Sequence, residues 1–267
     1  MLKRSWSDGV STVNGWLSIG NAFTAEIMAE QGYDSLTIDV QHGFLDYADA
    51  RGMLQAIRAS QKTPLVRVPW LEPGIIMKCL DAGVHGVICP MINTPEQAAA
   101  LVDAMRYPPL GNRSFGPTRA NVSAGPGYFD GANENILAIA MIETDEGVRN
   151  VEAIARVPGI DALYIGPGDL ALGISRGRLR PGLDREEKEA RDAIDRIRET
   201  ASAAGIFSGI HCGAPEYAAQ AIDWGFDMVT ISSDVRLLVA AAAESLGRFQ
   251  GLTGRIRTGE QDDGGGY

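Results

Sequence analysis

Lysine is scarce in this chain: only Lys3, Lys62, Lys78 and Lys188 occur among 267 residues. Cysteine is scarcer still. Cys79, Cys89 and Cys212 are odd in number and widely spaced, with no CxxC pair. That excludes a disulfide framework and a cysteine-based zinc site. Positive charge is short as well, with 24 basic against 34 acidic residues and a formal net charge of −10. Such a surface repels nucleic acid and anionic membranes, and no basic patch offsets it. No apolar run approaches the ~20 residues needed to span a bilayer. The opening MLKRSWSDGV lacks the apolar stretch of a signal peptide. The expectation is a soluble, reducing, cytoplasmic protein that binds neither nucleic acid nor membrane.

Apolar residues, by contrast, make up 45% of the chain, and glycine is abundant at 32. The length suits one α/β barrel, which typically takes roughly 250 residues. Eight short runs rich in Val, Ile, Leu and Ala read as buried parallel strands: 14–20, 34–40, 63–69, 86–91, 136–143, 161–166, 205–210 and 227–232. Amphipathic segments at 22–31, 46–60, 73–82, 95–105, 145–156, 185–204, 215–224 and 235–248 read as helices. Thr94-Pro95 and Ala214-Pro215 look like helix starts, and Gly83, Gly205 and Gly225 like helix stops. Eight βα units in series predict a single-domain (β/α)8 TIM barrel over 1–250, with a polar, glycine-rich tail at 251–267. Two connections, 107–135 and 169–184, are longer than the fold needs. Both are expected to leave the C-terminal ends of strands, where barrel active sites form.

Those strand ends carry the chemistry. Strand 2 ends in Asp39-Val40-Gln41-His42, strand 3 carries Arg67, strand 5 ends at Glu143 and strand 6 runs into Gly166-Pro167-Gly168-Asp169. Two hard carboxylates on adjacent strands, Glu143 and Asp169, can hold one Mg2+-like ion and leave positions for water and substrate oxygens. A bound 2-oxo acid would then form an enolate that the ion and a cation stabilise. Either acid equally suits the first turn of the helix that follows it. His42 can move protons, with Asp39 three residues earlier to fix its tautomer; it equally suits a loop histidine bonded to backbone. Arg67, in the apolar run LVRVP, must face a mouth or be paired, so it binds a carboxylate or makes a structural ion pair. The IGPGDL run offers backbone N–H groups to an anion. His211 and Cys212 are expected just past strand 7, His85 and Cys89 at the two ends of strand 4, and 113–119 (RSFGPTR) over the substrate or in solvent.

The scarcity of lysine now matters. Lys62 precedes strand 3, and Lys78 and Lys188 fall within helices, so no lysine stands at a strand end to form a Schiff base. Aldol chemistry in this barrel would therefore use metal.

The stretches GWLSIGNAFTAEIMAEQGYDSLTIDVQHG, PLVRVPWLEPGIIMKCLDAGVHGVICPMINTPEQA, RYPPLGNRSFGPTRA, MIETDEGVRNVEAIARVPGIDALYIGPGDLALGIS and GFDMVTISSD follow one another from about residue 14 to residue 240. In content and order they resemble the HpcH/HpaI aldolase family, which includes 4-hydroxy-2-oxoheptanedioate and hydroxyketoacid aldolases. The resemblance implies a barrel of the phosphoenolpyruvate/pyruvate type and class II aldol chemistry joining a 2-oxo acid such as pyruvate or hydroxypyruvate to an aldehyde. It also implies His42 as proton carrier with Asp39 orienting it, and Arg67 as oxyanion partner. Glu143 and Asp169 would ligate Mg2+, Mn2+ or Co2+, and Gly168 would donate to the pyruvate carboxylate. Trp16 and Asp81 would lie near the site, Asp81 from a neighbouring subunit, within a hexamer built as a trimer of dimers that exchange the last helix. Gln41 and Met141 stand where many members have Glu and some have Gln. That favours hydroxypyruvate or pyruvate with varied aldehydes over the heptanedioate substrate. A citryl- or malyl-CoA type lyase shares this chemistry but would carry a basic CoA surface. A catalytically silent barrel would be free to lose His42, Arg67, Glu143 and Asp169, yet all are present.

Overall fold

The eight expected runs become eight strands. In the structure, a computed structural model that describes residues 2–254, these are β1 (Thr12–Leu17), β2 (Ser35–Asp39), β3 (Thr63–Arg67), β4 (Gly86–Cys89), β5 (Leu137–Ile142), β6 (Ala162–Ile165), β7 (Phe207–Cys212) and β8 (Met228–Ile231). All pair in parallel, each with its sequence neighbour, and β1 closes onto β8. Nearly every strand residue is buried, as expected where one face meets the barrel interior and the other a helix layer.

Twelve helices are described: α1 (Leu2–Ser7), α2 (Ala22–Ala29), α3 (Tyr47–Ala59), α4 (Pro73–Asp81), α5 (Pro95–Met105), α6 (Thr118–Ala124), α7 (Tyr128–Asn135), α8 (Asp145–Ala155), α9 (Pro167–Ser175), α10 (Lys188–Ala204), α11 (Pro215–Trp224) and α12 (Asp234–Thr253). Local chemistry sets their ends. Asp46 and Thr94 form capping boxes with Asp49 and Gln97, and Gly205 and Gly225 close α10 and α11 in the left-handed region. Sequence periodicity did not show α1, α6, α7 or α9. The α6 and α7 starts have no side-chain cap, and both helices sit among Gly and Pro.

The chain divides into two compact units, the barrel up to Asp234 and the segment from Val235 on. The described part of the second unit is α12, which leaves Leu238, Val239, Leu246, Phe249 and Leu252 exposed. The tail expected from 251 begins within this helix, and its residues 255–267 lie outside the described residues. No helix among the described residues is long and apolar enough to cross a membrane.

One apolar cluster joins the outer strand faces to the helices, and a second fills the barrel with Trp16, Leu65, Ile88, Ile139, Met141, Tyr164 and Met228. Leu2 and Trp6 of α1 belong to this inner cluster, and Trp6 Nε1 donates to Thr12 Oγ1 at 2.8 Å. The helix α1 thus plugs the end of the barrel where the strands begin.

The two long connections lie at opposite ends. The 169–184 stretch leaves β6 at the C-terminal face, as expected. The 107–135 stretch does not, because it follows α5 and precedes β5. A helix in a βα unit returns the chain to the start of the next strand, so this excursion lies at the N-terminal face. Its Tyr128 and Asn135 line a cavity of about 650 Å³ together with Thr63 and His85, which stand at the starts of β3 and β4.

Candidate active site

Parallel register brings Asp39 and Arg67 together. They are paired Cα partners, each the last residue of its strand. Arg67 Nε donates to Asp39 Oδ1 at 2.8 Å and Nη2 donates to Oδ2 at 2.6 Å. The indole of Trp16 donates to Oδ2 at 3.2 Å, and the Arg67 guanidinium lies 4.8 Å from the centre of that indole. Backbone N–H groups of Gln41 and His42 donate to Oδ1, each at 3.2 Å. Burial acts to raise the Asp39 pKa, but the Arg67 hydrogen bond and charge prevail and hold it below the ordinary 3.8.

Asp39 was expected to orient the His42 ring. Its oxygens instead accept from Arg67, Trp16 and two main-chain N–H groups. It fixes the His42 backbone, and the exposed imidazole is left at the rim.

Glu143 follows β5 and is almost fully buried. Met91 N–H donates to its Oε1 at 2.9 Å from a residue at φ +56°. Its Oε2 faces Gly166, where a Cβ would stand 2.4 Å away and 2.4 Å from Met141 Cε. Only glycine fits there. Burial first, and then the nearby Asp169 charge, raise the Glu143 pKa to about 7 against the pull of Met91 and Arg67. Asp169 lies exposed in the first turn of α9, which Pro167 opens. Beside it, a Cβ on Gly168 would meet only the Gly182 backbone, 4.0 Å away, so the start of α9 faces open space.

The donor set fits a hard divalent ion. The Asp169 charge acts on Glu143, and the Asp169 carboxylate and Glu143 Oε2 have no hydrogen-bond donor among the described residues. Like charges held together and short of protein donors are characteristic of a cation site. No group of three or more His, Cys, Asp or Glu suited to a metal occurs among the described residues. Water and substrate oxygens would therefore complete the coordination.

Other residues fall elsewhere. His211 and Cys212 lie within β7, not beyond it; Cys212 is buried, and the His211 ring meets Trp16 edge-on at 4.7 Å. Cys79, Cys89 and Cys212 are free thiols whose pKa burial pushes up to about 12. Asp81 ends α4, at the opposite face from Glu143, and accepts from Arg113 Nη2 at 2.7 Å. Arg119 donates to the Leu54 carbonyl at 2.9 Å and to that of Ala82. Within one chain, neither Arg113 nor Arg119 closes over the mouth.

Comparison with known proteins settles the kinship. The profile of the HpcH/HpaI aldolase/citrate lyase family matches residues 14–241. The chain belongs to this family. As a member it is a carbon–carbon lyase. A hydroxypyruvate/pyruvate aldolase of Rhizorhabdus wittichii is 40% identical, over 94% of this chain and 99% of its own length. A 2-dehydro-3,6-dideoxy-6-sulfogluconate aldolase of Pseudomonas putida is 34% identical over 94% and 96%. A solved structure of a family protein from Burkholderia cenocepacia J2315 superposes with a TM-score of 0.85 at 33% identity, covering 93% of this chain and 98% of the other.

The sequence did not mark Met91, and Gly166 was read only within the anion-receiving IGPGDL run. Both stand next to a proline, in CPM and IGPG, a visible sign of special backbone, but nothing in the sequence says which acid they serve.

Proposed function

We propose that this family member is a metal-dependent class II aldolase. It reversibly cleaves 4-hydroxy-2-oxo acids to pyruvate or hydroxypyruvate and an aldehyde, with Mg2+, Mn2+ or Co2+ held by Glu143 and Asp169. The observation that carries this reading is the convergence of a buried carboxylate, a second acid and a clamped arginine at one strand-end mouth. The relatives named hydroxypyruvate/pyruvate aldolase support the substrate class.

When bound, the ion supplies Lewis-acid polarisation of the 2-oxo carbonyl. Arg67 spends Nε and one Nη2 hydrogen on Asp39, which leaves its Nη1 edge for the oxygen that gains charge on enolisation. Because Asp39 holds the guanidinium in advance, little reorganisation is needed as that charge develops. The N–H groups at the start of α9, Gly168 among them, receive the substrate carboxylate. His42 carries the C3 proton, directly or through water. Met141, buried beside Gly166, offers the aldehyde no hydrogen bond, which suits varied acceptors.

The exposed apolar residues of α12 support a homo-oligomer, with a hexameric trimer of dimers as the proposed form. The distant Asp81 would then act only at another subunit's mouth. The three reduced, buried thiols support a cytoplasmic setting.

The test is pyruvate release from 4-hydroxy-2-oxo acids of several lengths, with EDTA and then with each metal restored. Metal-dependent release that Glu143→Ala and Asp169→Ala abolish is the expected result. Cleavage that survives complete metal removal overturns the mechanism.

A further inference from the structure

A chain of buried hydrogen bonds crosses the barrel beneath the mouth. Tyr164, on β6, is fully buried, and its ring reaches across β7 where Gly209 makes room: a Cβ there would lie 2.8 Å from Tyr164 Cδ2. The Tyr164 hydroxyl meets Thr230 Oγ1 at 2.7 Å. Asn14 Nδ2 donates to the same Thr230 oxygen at 2.9 Å. Asn14 Oδ1 in turn accepts from Ser35 at 2.9 Å and Thr37 at 3.1 Å. Each of these polar residues is fully buried, where an unpaired hydroxyl or amide would cost on the order of 1–3 kcal/mol. The network therefore admits few alternative arrangements.

Two residues along β1 from Asn14, on the same inward face, stands Trp16. Its ring stacks on Tyr164, with centroids 6.0 Å apart and planes 14° from parallel. The same indole bonds Asp39 and lies beside the Arg67 guanidinium. A phenylalanine at 164 would supply the stacking alone. The hydroxyl adds a fixed point on β8, which pairs with β1, the strand that carries Trp16.

We propose that Tyr164 is a positioning residue for Arg67: its bond to Thr230 fixes the ring, the ring seats Trp16, and Trp16 seats the Asp39–Arg67 pair. This rests on the reading of Arg67 as the group that stabilises the developing oxyanion. A looser pair lowers stabilisation of the transition state more than binding of the ground state, so the loss falls on kcat and not on KM.

Tyr164→Phe is the first test. The expected result is a fall in kcat of about tenfold with KM for the 2-oxo acid within about twofold of the parent. In an Arg67→Lys background the same substitution should cost less than about twofold, because its effect passes through the arginine. Independent multiplication of the two losses overturns the proposal, as does an unchanged kcat in Tyr164→Phe. A second measurement needs no turnover. The four tryptophans give separate indole N–H signals, and Trp16→Phe assigns that of Trp16. Tyr164→Phe and Thr230→Val should each broaden this signal or speed its solvent exchange, and an unaltered signal in both counts against the chain of contacts. If the parent protein cleaves no 4-hydroxy-2-oxo acid under any metal, the aldolase reading fails by itself, and the indole signal alone then decides whether Tyr164 and Thr230 seat Trp16.

Discussion

Asp39 grips Arg67 through two parallel hydrogen bonds of 2.8 and 2.6 Å, from a position 28 residues earlier in the chain. Both side chains are largely buried, at 3% and 11% exposure, so neither charge has water to fall back on. Asp39→Asn removes the anion and leaves the guanidinium nearly unpaired. The expected cost is about 3 kcal/mol in a denaturant titration, in the range for breaking a buried pair. The accompanying loss in kcat should exceed that of Tyr164→Phe, since the arginine loses its main anchor directly.

The same pair sets an acid limit. The folded-state pKa of Asp39 lies below its ordinary 3.8, so the unfolded chain binds the proton more readily. The stabilisation is fully present above pH 3.8 and is lost as pH falls below it through the folded value. Stability of the parent measured against pH should fall more steeply below that point than stability of Asp39→Asn. Parallel curves for the two would contradict the role given to Asp39.

Glu143 should behave in the opposite sense. Its pKa is raised from 4.5 to about 7, so the metal-free folded state holds the proton more tightly than the unfolded chain. Its contribution is fully present below pH 4.5 and is lost as pH rises through about 7. Glu143→Gln retains the oxygen that accepts from Met91 and removes the charge. Metal-free Glu143→Gln should melt at or above the parent temperature at pH 8, while its metal affinity falls by at least about tenfold. A drop in both would assign Glu143 to structure.

Gly166→Ala tests the close approach in that acid's pocket. The backbone there, at φ −99°, accepts alanine, so the penalty is purely steric. The new methyl would collide with Glu143 Oε2 and Met141 Cε, both 2.4 Å away. The variant should fold with a cooperative melt but lose metal affinity and most turnover. Unchanged metal binding by calorimetry would show that Glu143 is not a ligand.

Exposed Leu238 and Leu246 test the assembly. On an isolated chain, Leu238→Asp and Leu246→Asp would be nearly neutral, because both leucines already meet solvent at 62% and 57% exposure. In an oligomer that buries α12, each buries an unpaired charge, and light scattering should show a smaller species than the parent. A parent that runs as a monomer removes the proposed hexamer.

Residues Glu143, Asp169 and Arg67 were legible as a group because strand ends are legible, whereas Trp16 entered only through the family resemblance. An apolar run followed by a lone acid or base locates a strand terminus, and a parallel barrel gathers such termini at one face. Partner choice within the group was not. Asp39 stands three residues from His42, which makes the histidine the natural guess. The carboxylate instead meets the residue opposite it on the next strand, as the β2–β3 register dictates. The 107–135 stretch shows the same limit in another form: its length and composition mark it as an excursion, while its face depends on α5 having already turned the chain around.

The sequence by itself determined the barrel, the placing of Glu143 and Asp169 just past strands 5 and 6, and the lack of a lysine at any expected strand end. These depend on strand periodicity, residue type and the positions of a few lysines, all local properties. The tertiary structure decided what each group does to its neighbours. It clamped Arg67 on Asp39, raised Glu143 by burying it next to Asp169, and carried Asp81 and Arg113 to the far end of the barrel. Those outcomes depend on register, burial and chain direction, which exist only once distant segments are packed together.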